Sequence, residues 1–347
     1  MASLRRVQHL SFSHVPSPYI QPPHERPSLS LNPNFNKTQV PVIDLCNFDP
    51  EFSSLVQHQI KQACQKLGAF QVRNHGVSDK LIEDMKRIGM GFFDSSLDYK
   101  TKYACDANFA ASEGYGSRML VKEEGVLDWR DYFDHHTLPE FRRNPDNWPD
   151  FPDDYRDVVL KYSDQMRLLA QKLLKIISES LGLPSAYIQE AIGEPSQNIT
   201  ISFYPLCPQP ELTLGLQAHS DMGAITLLVQ DDVGGLQVLN DGDWITVEPL
   251  PDAIVVNLSD QTEIISNGIF KSAVHRAVVN ANRARLSVAT FYDPSKETKI
   301  CPAPHLITDS SPARYLDVLY GDYVSTWYSK GPDGKRNIDA LLIGNHL

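Results

Sequence analysis

The sequence lacks features that would place the protein in a membrane, on a nucleic acid or in an oxidising compartment. No stretch approaches the roughly 20 consecutive apolar residues of a membrane-spanning helix, although 41% of the residues are hydrophobic. There is no basic run and the formal net charge is −11, so neither nucleic acids nor anionic membranes are expected as partners. The cysteines are odd in number and form no Cys-x-x-Cys pair, which favours reduced thiols; they are Cys46, Cys64, Cys105, Cys207 and Cys301.

The N-terminus also lacks the hydrophobic core of a secretory signal peptide. Its first eighteen residues include Arg5, Arg6 and several serines but no continuous apolar run. We therefore expect a cytoplasmic protein, with an organelle transit peptide as the alternative. The stretch from about Pro16 to Gln39 is rich in proline, serine and asparagine, and we interpret residues 1–39 as an extended N-terminal arm that covers part of the fold.

Helical periodicity dominates the next part of the chain. Apolar residues recur at helical spacing in Phe52–Leu67, Ser78–Phe93 and Tyr155–Leu181, which predicts amphipathic helices there. A short strand is expected at Phe70–Val72, between the first two helices. We assign residues 40–195 to a helical and mixed region that packs on a β-barrel.

From Asn198 onward the period changes to two. Short apolar runs alternate with turn signals such as residues 240–243, a pattern typical of a β-sandwich or barrel. The predicted strands are Ile199–Tyr204, Ala224–Val229, Leu236–Leu239, Trp244–Val247, Ala253–Asn257 and Arg285–Phe291. We predict a mainly β fold with flanking helices, namely a double-stranded β-helix (jelly-roll) barrel in residues 196–300 with an N-terminal helical buttress. Residues 301–347 have helical spacing from Ser311 to Lys330 and are expected to fold over the barrel mouth.

A His-x-Asp string and a later histidine form the strongest candidate site. His219 and Asp221 precede the apolar run of residues 222–229, so their side chains are expected on one side of a strand start. His275 closes an alternating run that begins at Phe270, and we expect it to face the pair across the barrel. Two imidazoles and a carboxylate hold Fe(II) on one face and leave other positions open. This mixed ligand set argues against a structural zinc site, which is usually cysteine-rich.

Arg285 and Ser287 form a second polar pair. They are two residues apart on a predicted strand, so they share one of its faces. A guanidinium can grip a carboxylate with two hydrogen bonds, and a serine hydroxyl can add a third. The metal ligands and this carboxylate clamp together indicate a metal-activated oxidation driven by an organic acid.

Ordered motifs along nearly the whole chain resemble those of the plant Fe(II)/2-oxoglutarate-dependent dioxygenases. Besides the ligands and the clamp, the matching segments are Val40–Leu45, Leu67–Val77, Leu127–Phe133, Phe203–Pro210 and Ile265–Ser272. Within that family the chain is similar to the group that oxidises plant hormones and specialised metabolites. The resemblance implies that His219, Asp221 and His275 hold catalytic Fe(II), that 2-oxoglutarate and O2 are co-substrates, and that ascorbate assists.

The resemblance also implies roles for residues around the metal. Arg285, Ser287 and Tyr204 are expected to bind 2-oxoglutarate, with Ser202 at a position where members close to the flavonoid enzymes carry asparagine. The candidate substrate-pocket residues are Phe291, Tyr132, Asp134, Met119 and Leu206. An aromatic-walled pocket favours a planar or lipophilic small molecule, and Asp134 indicates a polar or cationic group on it.

The predicted function is an oxygenase of small molecules. It would hydroxylate, demethylate or desaturate a lipophilic or aromatic plant hormone or specialised metabolite, coupled to decarboxylation of 2-oxoglutarate to succinate and CO2. Two alternatives stay open: a 2-oxoglutarate-independent iron oxidase of the ethylene-forming type, and a non-catalytic binding protein on the same fold. A retired enzyme should have lost a ligand or the clamp, and this sequence has lost neither. We expect a monomer.

Overall fold

Two β-sheets and a layer of helices make up the part of the chain that the structure describes. The structure is a computed structural model, and it describes residues 7–9, 13–27, 39–46, 53–106, 113–117, 125–330 and 337–344. Its strands are β1 Val42–Asp44, β2 Ala69–Arg73, β3 Gly114–Gly116, β4 Asp131–Leu138, β5 Ser196–Tyr204, β6 Leu216–His219, β7 Ile225–Gln230, β8 Leu236–Asn240, β9 Asp243–Thr246, β10 Ile254–Leu258, β11 His275–Ala277, β12 Arg285–Asp293, β13 Lys299–Ile300 and β14 Val318–Leu319.

The larger sheet joins strands from distant parts of the sequence. Its eight strands run in the order β1-β2-β10-β7-β12-β5-β4-β3, and the smaller sheet has the order β6-β11-β8-β9. Only β1 and β2 pair in parallel in these two sheets; the other pairs between described strands are antiparallel. Strands of the 40–195 segment therefore extend the same sheet that carries β5, β7 and β12.

The helices lie mostly between and after the early strands. They are α1 Ser53–Lys66, α2 Asp79–Asp94, α3 Leu97–Thr101, α4 Tyr155–Ser180, α5 Tyr187–Ala191, α6 Asp260–Ile265 and α7 Tyr320–Lys330. α1, α2 and α4 match the predicted helices to within a residue at the described ends, and Phe52 lies outside the described residues. α1 and α2 pack on α4, and both α2 and α4 contact β12. None of the helices in the described ranges combines the length and apolar composition needed to cross a membrane.

The C-terminal helix is shorter than its spacing predicts. Helical structure begins at Tyr320, not at Ser311. Pro312 lacks the backbone N–H that a helix interior requires, Ser311 bridges to Thr308, and Leu319 pairs with Lys299 in a two-stranded sheet. Backbone pairing therefore takes up residues that the apolar spacing assigned to a helix.

The two faces of the larger sheet differ in chemistry. Side chains of β12 alternate, so Leu286 and Val288 point into the helix-covered core while Arg285 and Ser287 point to the other side. On the core side, Phe93 of α2 stacks on a phenylalanine of β5 with ring centroids 5.2 Å apart. The opposite, more polar side lines a cavity between the two sheets, together with residues of β6, β8 and β11. The predicted class, a mainly β jelly roll with flanking helices, is confirmed.

Candidate active site

Three buried side chains with metal-binding chemistry converge on the wall of this cavity. Oδ1 of Asp221 is 3.5 Å from Nε2 of His219 and 3.7 Å from Nε2 of His275. One potential ligand atom from each residue lies within 4.8 Å of the other two, and the described residues contain no other such group of three. The geometry places all three within reach of a single ion.

His275 reaches this position from a neighbouring strand. It opens β11 and pairs directly with His219 at the end of β6, in the same small sheet. The expectation that it closes an alternating run and faces the pair across the barrel is wrong. The backbone N–H groups of Lys271 and Ala273 donate to carbonyls outside the small sheet, so the segment before His275 forms no strand there.

Backbone carbonyls orient both imidazole rings. Nδ1 of His219 lies 2.8 Å from the carbonyl oxygen of Gln217, and Nδ1 of His275 lies 2.9 Å from that of Ala273. A carbonyl can only accept, so Nδ1 of each ring carries a proton, and Nε2 is the ring atom left for a metal. This is the tautomer that a metal-binding histidine uses.

The electrostatics of the group suit a divalent cation. Burial opposes ionisation of Asp221, but the charges of His275 and His219 and the hydrogen bonds to its carboxylate lower its pKa to about 2. Burial lowers the pKa of His275. Burial opposes a charge on His219 too, but its hydrogen bond to Asp221 and the charge of that carboxylate outweigh this effect and raise its pKa. Oδ2 of Asp221 has no hydrogen-bond partner among the described residues. A buried carboxylate oxygen without a partner is costly, and a bound cation would remove that cost.

Arg285 lies in the same cavity and is 3% exposed. Its guanidinium donates to Ser287 Oγ at 3.4 Å and to Gln230 Oε1 at 3.1 Å. Its Cζ lies 4.8 Å from the ring centroid of Tyr204, a cation–π contact. Nε has no partner in the described part of the chain, so the group retains donor capacity for an anion.

The strand register brings the four predicted co-substrate residues together. Arg285 pairs with Tyr204 across β12 and β5, and Ser287 pairs with Ser202. All four side chains line the cavity. Sequence reasoning missed Gln230, which ends β7 opposite Ser287; only the pairing of β7 with β12 reveals it.

The predicted substrate residues differ in their distance from the cavity. Phe291 lines it, as does Thr200. Tyr132 and Asp134 are buried on β4 but do not belong to its lining. Asp134 lies beside Thr200 and accepts a 2.7 Å hydrogen bond from its hydroxyl.

A further predicted substrate residue, Leu206, is not brought to this cavity. Leu206 is 52% exposed, in the segment that leaves β5, and does not line it. Met119 lies outside the described residues. Sequence reasoning also missed Arg130, Arg276 and Asn257, all of which line the cavity. Arg130 could have been found from its position directly before β4 and two residues before Tyr132, because side chains at that spacing point to the same face of a strand.

Comparisons with known proteins agree with this site. The family model of the 2OG-Fe(II) oxygenase superfamily matches residues 195–294, and that of the non-haem dioxygenase in morphine synthesis N-terminal matches residues 40–151. Jasmonate-induced oxygenase 4 of Arabidopsis thaliana is 38% identical over 99% of this chain and 97% of that protein. Flavanone 3-dioxygenase 2 of Oryza sativa subsp. japonica is 40% identical, with 94% of each protein covered.

Solved structures share the fold. The crystal structure of JOX2 in complex with 2OG, Fe and JA has a TM-score of 0.89 and 35% identity, with 98% of each chain covered. The dioxygenase for auxin oxidation in rice has a TM-score of 0.74 and 27% identity, covering 88% of this chain and 100% of that chain. The predicted use of Fe(II) and 2-oxoglutarate is confirmed. The chain belongs to the 2OG-Fe(II) oxygenase superfamily and is an Fe(II)/2-oxoglutarate-dependent dioxygenase.

Proposed function

We propose that His219, Asp221 and His275 hold the Fe(II) of this dioxygenase and that the adjoining cavity oxidises a lipophilic or aromatic small molecule. The observation that carries the proposal is the convergence of the three ligand atoms within 4.8 Å on one cavity wall. Such a set occupies one face of an iron ion. When bound, Fe(II) supplies the redox chemistry, in which O2 is activated as 2-oxoglutarate is decarboxylated to succinate and CO2.

The protein residues position the co-substrate. Arg285 grips the far carboxylate of 2-oxoglutarate with two N–H donors, and the hydroxyls of Ser287 and Tyr204 donate further hydrogen bonds. Gln230 accepts from Arg285 and so holds the guanidinium at the angle that presents its remaining donors. Because Arg285, Ser287 and Tyr204 are almost fully buried, the clamp also keeps water away from the reacting groups.

The cavity walls support a lipophilic or aromatic substrate. Phe291, Leu228 and Ala289 give the lining an apolar surface, and Thr200 adds a hydroxyl. One relative is named for flavanone, and JOX2 was crystallised with JA. We infer a substrate from the plant hormones or specialised metabolites and a reaction that hydroxylates, demethylates or desaturates it.

A negative charge lies beside one part of this cavity. Asp134 is 5% exposed and accepts a hydrogen bond from the cavity-lining Thr200. An acidic group at that distance favours a substrate with a polar or cationic substituent directed towards Thr200. The cavity forms within one chain, which supports a monomer, and we propose that the enzyme acts as a cytoplasmic monomer without nucleic-acid or membrane partners.

The test needs no organic substrate. Fe(II) and 2-oxoglutarate are added to metal-free protein in the absence of O2, and the weak visible charge-transfer band of the iron–keto-acid chelate is recorded. We expect the band in the wild type, its loss in His219→Ala and its weakening in Arg285→Ala. His58→Ala, an exposed histidine on α1, is the matched control and should keep the band. A His219→Ala variant with a full band would overturn the ligand assignment.

A further inference from the structure

Arg130 is a buried cation that belongs neither to the metal ligands nor to the clamp around Arg285. It is 4% exposed and lines the same cavity. Its Nη1 donates to Ser202 Oγ at 3.4 Å, and its Cζ lies 5.3 Å from the ring centroid of Tyr132. Its Nε has no hydrogen-bond partner among the described residues. The guanidinium therefore keeps unused donors inside the protein.

The carboxylates that flank Arg130 in the sequence, Asp128 and Asp131, form no ion pair with it. No Asp or Glu of the described residues lies within the 4.0 Å ion-pair distance of its nitrogens. The charge of Arg130 partly offsets the burial that raises the pKa of Asp128. The hydrogen bonds of Asp128 Oδ1 come from the backbone and side-chain nitrogens of Gln217, at 3.0 and 3.1 Å. Asp131 accepts from the backbone of Val7 at 3.1 Å. A buried guanidinium without a close counter-ion is costly unless an anion binds to it.

The strand register places Arg130 on the opposite side of β5 from the clamp. Asp131 pairs with Phe203 and Tyr132 with Ser202, which sets Arg130 beside Tyr204. The other neighbour of Tyr204 is Arg285. The two arginines thus approach from strands two spacings apart, about 10 Å, and both guanidiniums reach inward over tyrosine rings. A five-carbon dicarboxylate can bridge two donors placed in this way.

We propose that Arg130 is a second carboxylate-binding residue for 2-oxoglutarate. Arg130 binds the carboxylate next to the keto group, and Arg285 binds the far carboxylate. Ser202 accepts a hydrogen bond from Arg130 and pairs with Ser287 of the clamp, so it links the two halves of the site. The proposal rests on the proposed function, because it requires 2-oxoglutarate to bind beside His219, Asp221 and His275. It extends that function by giving each carboxylate of the co-substrate its own arginine.

The test compares two keto acids without turnover. Wild-type, Arg130→Met, Arg130→Lys and Arg285→Met proteins are loaded with Fe(II) without O2 and titrated with 2-oxoglutarate or 2-oxobutyrate, which lacks the far carboxylate. The dissociation constant is read from the charge-transfer band and checked by calorimetry. Arg283→Met removes an exposed arginine paired with Asp232 and serves as the matched control.

The expected pattern separates the two arginines. Arg130→Met should weaken the binding of both keto acids by about tenfold to a hundredfold, the usual range for a charged hydrogen bond, and Arg130→Lys should fall between it and the wild type. Arg285→Met should weaken only 2-oxoglutarate. Unchanged keto-acid affinity in a folded Arg130→Met protein would overturn the proposal, and a raised KM for the organic substrate would then assign Arg130 to substrate recognition. Failure of the wild type to bind 2-oxoglutarate would instead overturn the proposed function.

Discussion

At the residue scale, Asp134 is the position through which substrate charge can be tested. It is buried behind Thr200, and its Oδ2 lies 3.6 Å from Nε2 of His136. Asp134→Phe removes the charge and should lower kcat/KM for amine-bearing aromatic substrates by tenfold or more, while neutral analogues of the same shape keep theirs. The assay is substrate-dependent release of CO2 from 2-oxoglutarate across matched pairs of compounds.

Asp134→Asn is the control that isolates charge from shape. Its amide oxygen can still accept from the Thr200 hydroxyl, so packing changes little while the charge is lost. Both variants should lower the ratio of kcat/KM for amine-bearing substrates to kcat/KM for neutral ones. An unchanged ratio between amine-bearing and neutral substrates in Asp134→Phe would contradict a charge-directed substrate.

Also at the residue scale, the raised pKa of Asp293 leads us to expect that the free energy of unfolding depends on pH. Burial, together with the charges of Asp221 and Asp134, raises its pKa to about 8. An unfolded aspartate ionises near 3.9, so between about pH 4 and pH 8 the folded protein holds a proton that the unfolded chain has released. The contribution of Asp293 to the free energy of unfolding is therefore greatest below pH 4 and declines as the pH rises towards 8.

Asp293→Asn should remove this decline. We expect the variant to lose less stability than the wild type between pH 5 and pH 8. The slopes of the free energy of unfolding against pH should differ by an amount that corresponds to at most about one bound proton. Urea unfolding of metal-free protein at several pH values measures it, because a bound cation would screen Asp221. Parallel slopes for the two proteins would show that Asp293 is already ionised at neutral pH.

At the scale of elements, the contact between α2 and β5 fixes the strand that carries Ser202 and Tyr204. Phe93 is fully buried and stacks on Phe203 with ring centroids 5.2 Å apart. Phe93→Ala should lower the free energy of unfolding by about 3–5 kcal/mol, because it leaves a cavity in a packed aromatic cluster. Chemical denaturation measures the loss.

Phe141→Ala gives the comparison for that substitution. Phe141 is 85% exposed, so truncating it removes few contacts and should change the free energy of unfolding by less than about 0.5 kcal/mol. Equal losses for the two variants would mean that the α2 contact does not support β5.

The same scale shows why some elements could be predicted from the sequence. α4 matches its prediction at Tyr155 and ends within one residue of it, because a long apolar stripe has an unambiguous period. β4 was missed because nearly all of its residues are buried, and several of them, among them Asp131, Asp134 and His135, are polar. A strand buried on both faces beside a polar cavity has no hydrophobic alternation to detect.

At the scale of the whole molecule, the site is assembled from both sheets. His219 and His275 come from the small sheet, and Arg285 and Ser202 come from the large one. Motif spacing could name these residues, since each lies in a recognisable string. It could not show that Arg130 lines the cavity or that Gln230 accepts a hydrogen bond from Arg285. Only the pairing of β4 with β5 and of β7 with β12 places those two residues beside the others.

This two-sided construction predicts that metal and co-substrate stabilise the fold jointly. Unpartnered atoms face the cavity from two sides, namely Oδ2 of Asp221, which follows β6 of the small sheet, and Nε of Arg285 on the large sheet. A metal-bound dicarboxylate would therefore connect the two sides. A ligand at a hundred times its Kd adds about 2.7 kcal/mol to the free energy of unfolding, and for a protein of this size that raises Tm by several degrees. We expect 2-oxoglutarate to raise Tm much more with Fe(II) or Mn(II) present, under exclusion of O2, than in metal-free protein. Glutarate, which lacks the keto group, should show no such dependence, and His219→Ala should abolish it. An equal effect of 2-oxoglutarate with and without metal would mean that the clamp binds the co-substrate independently of the three ligands.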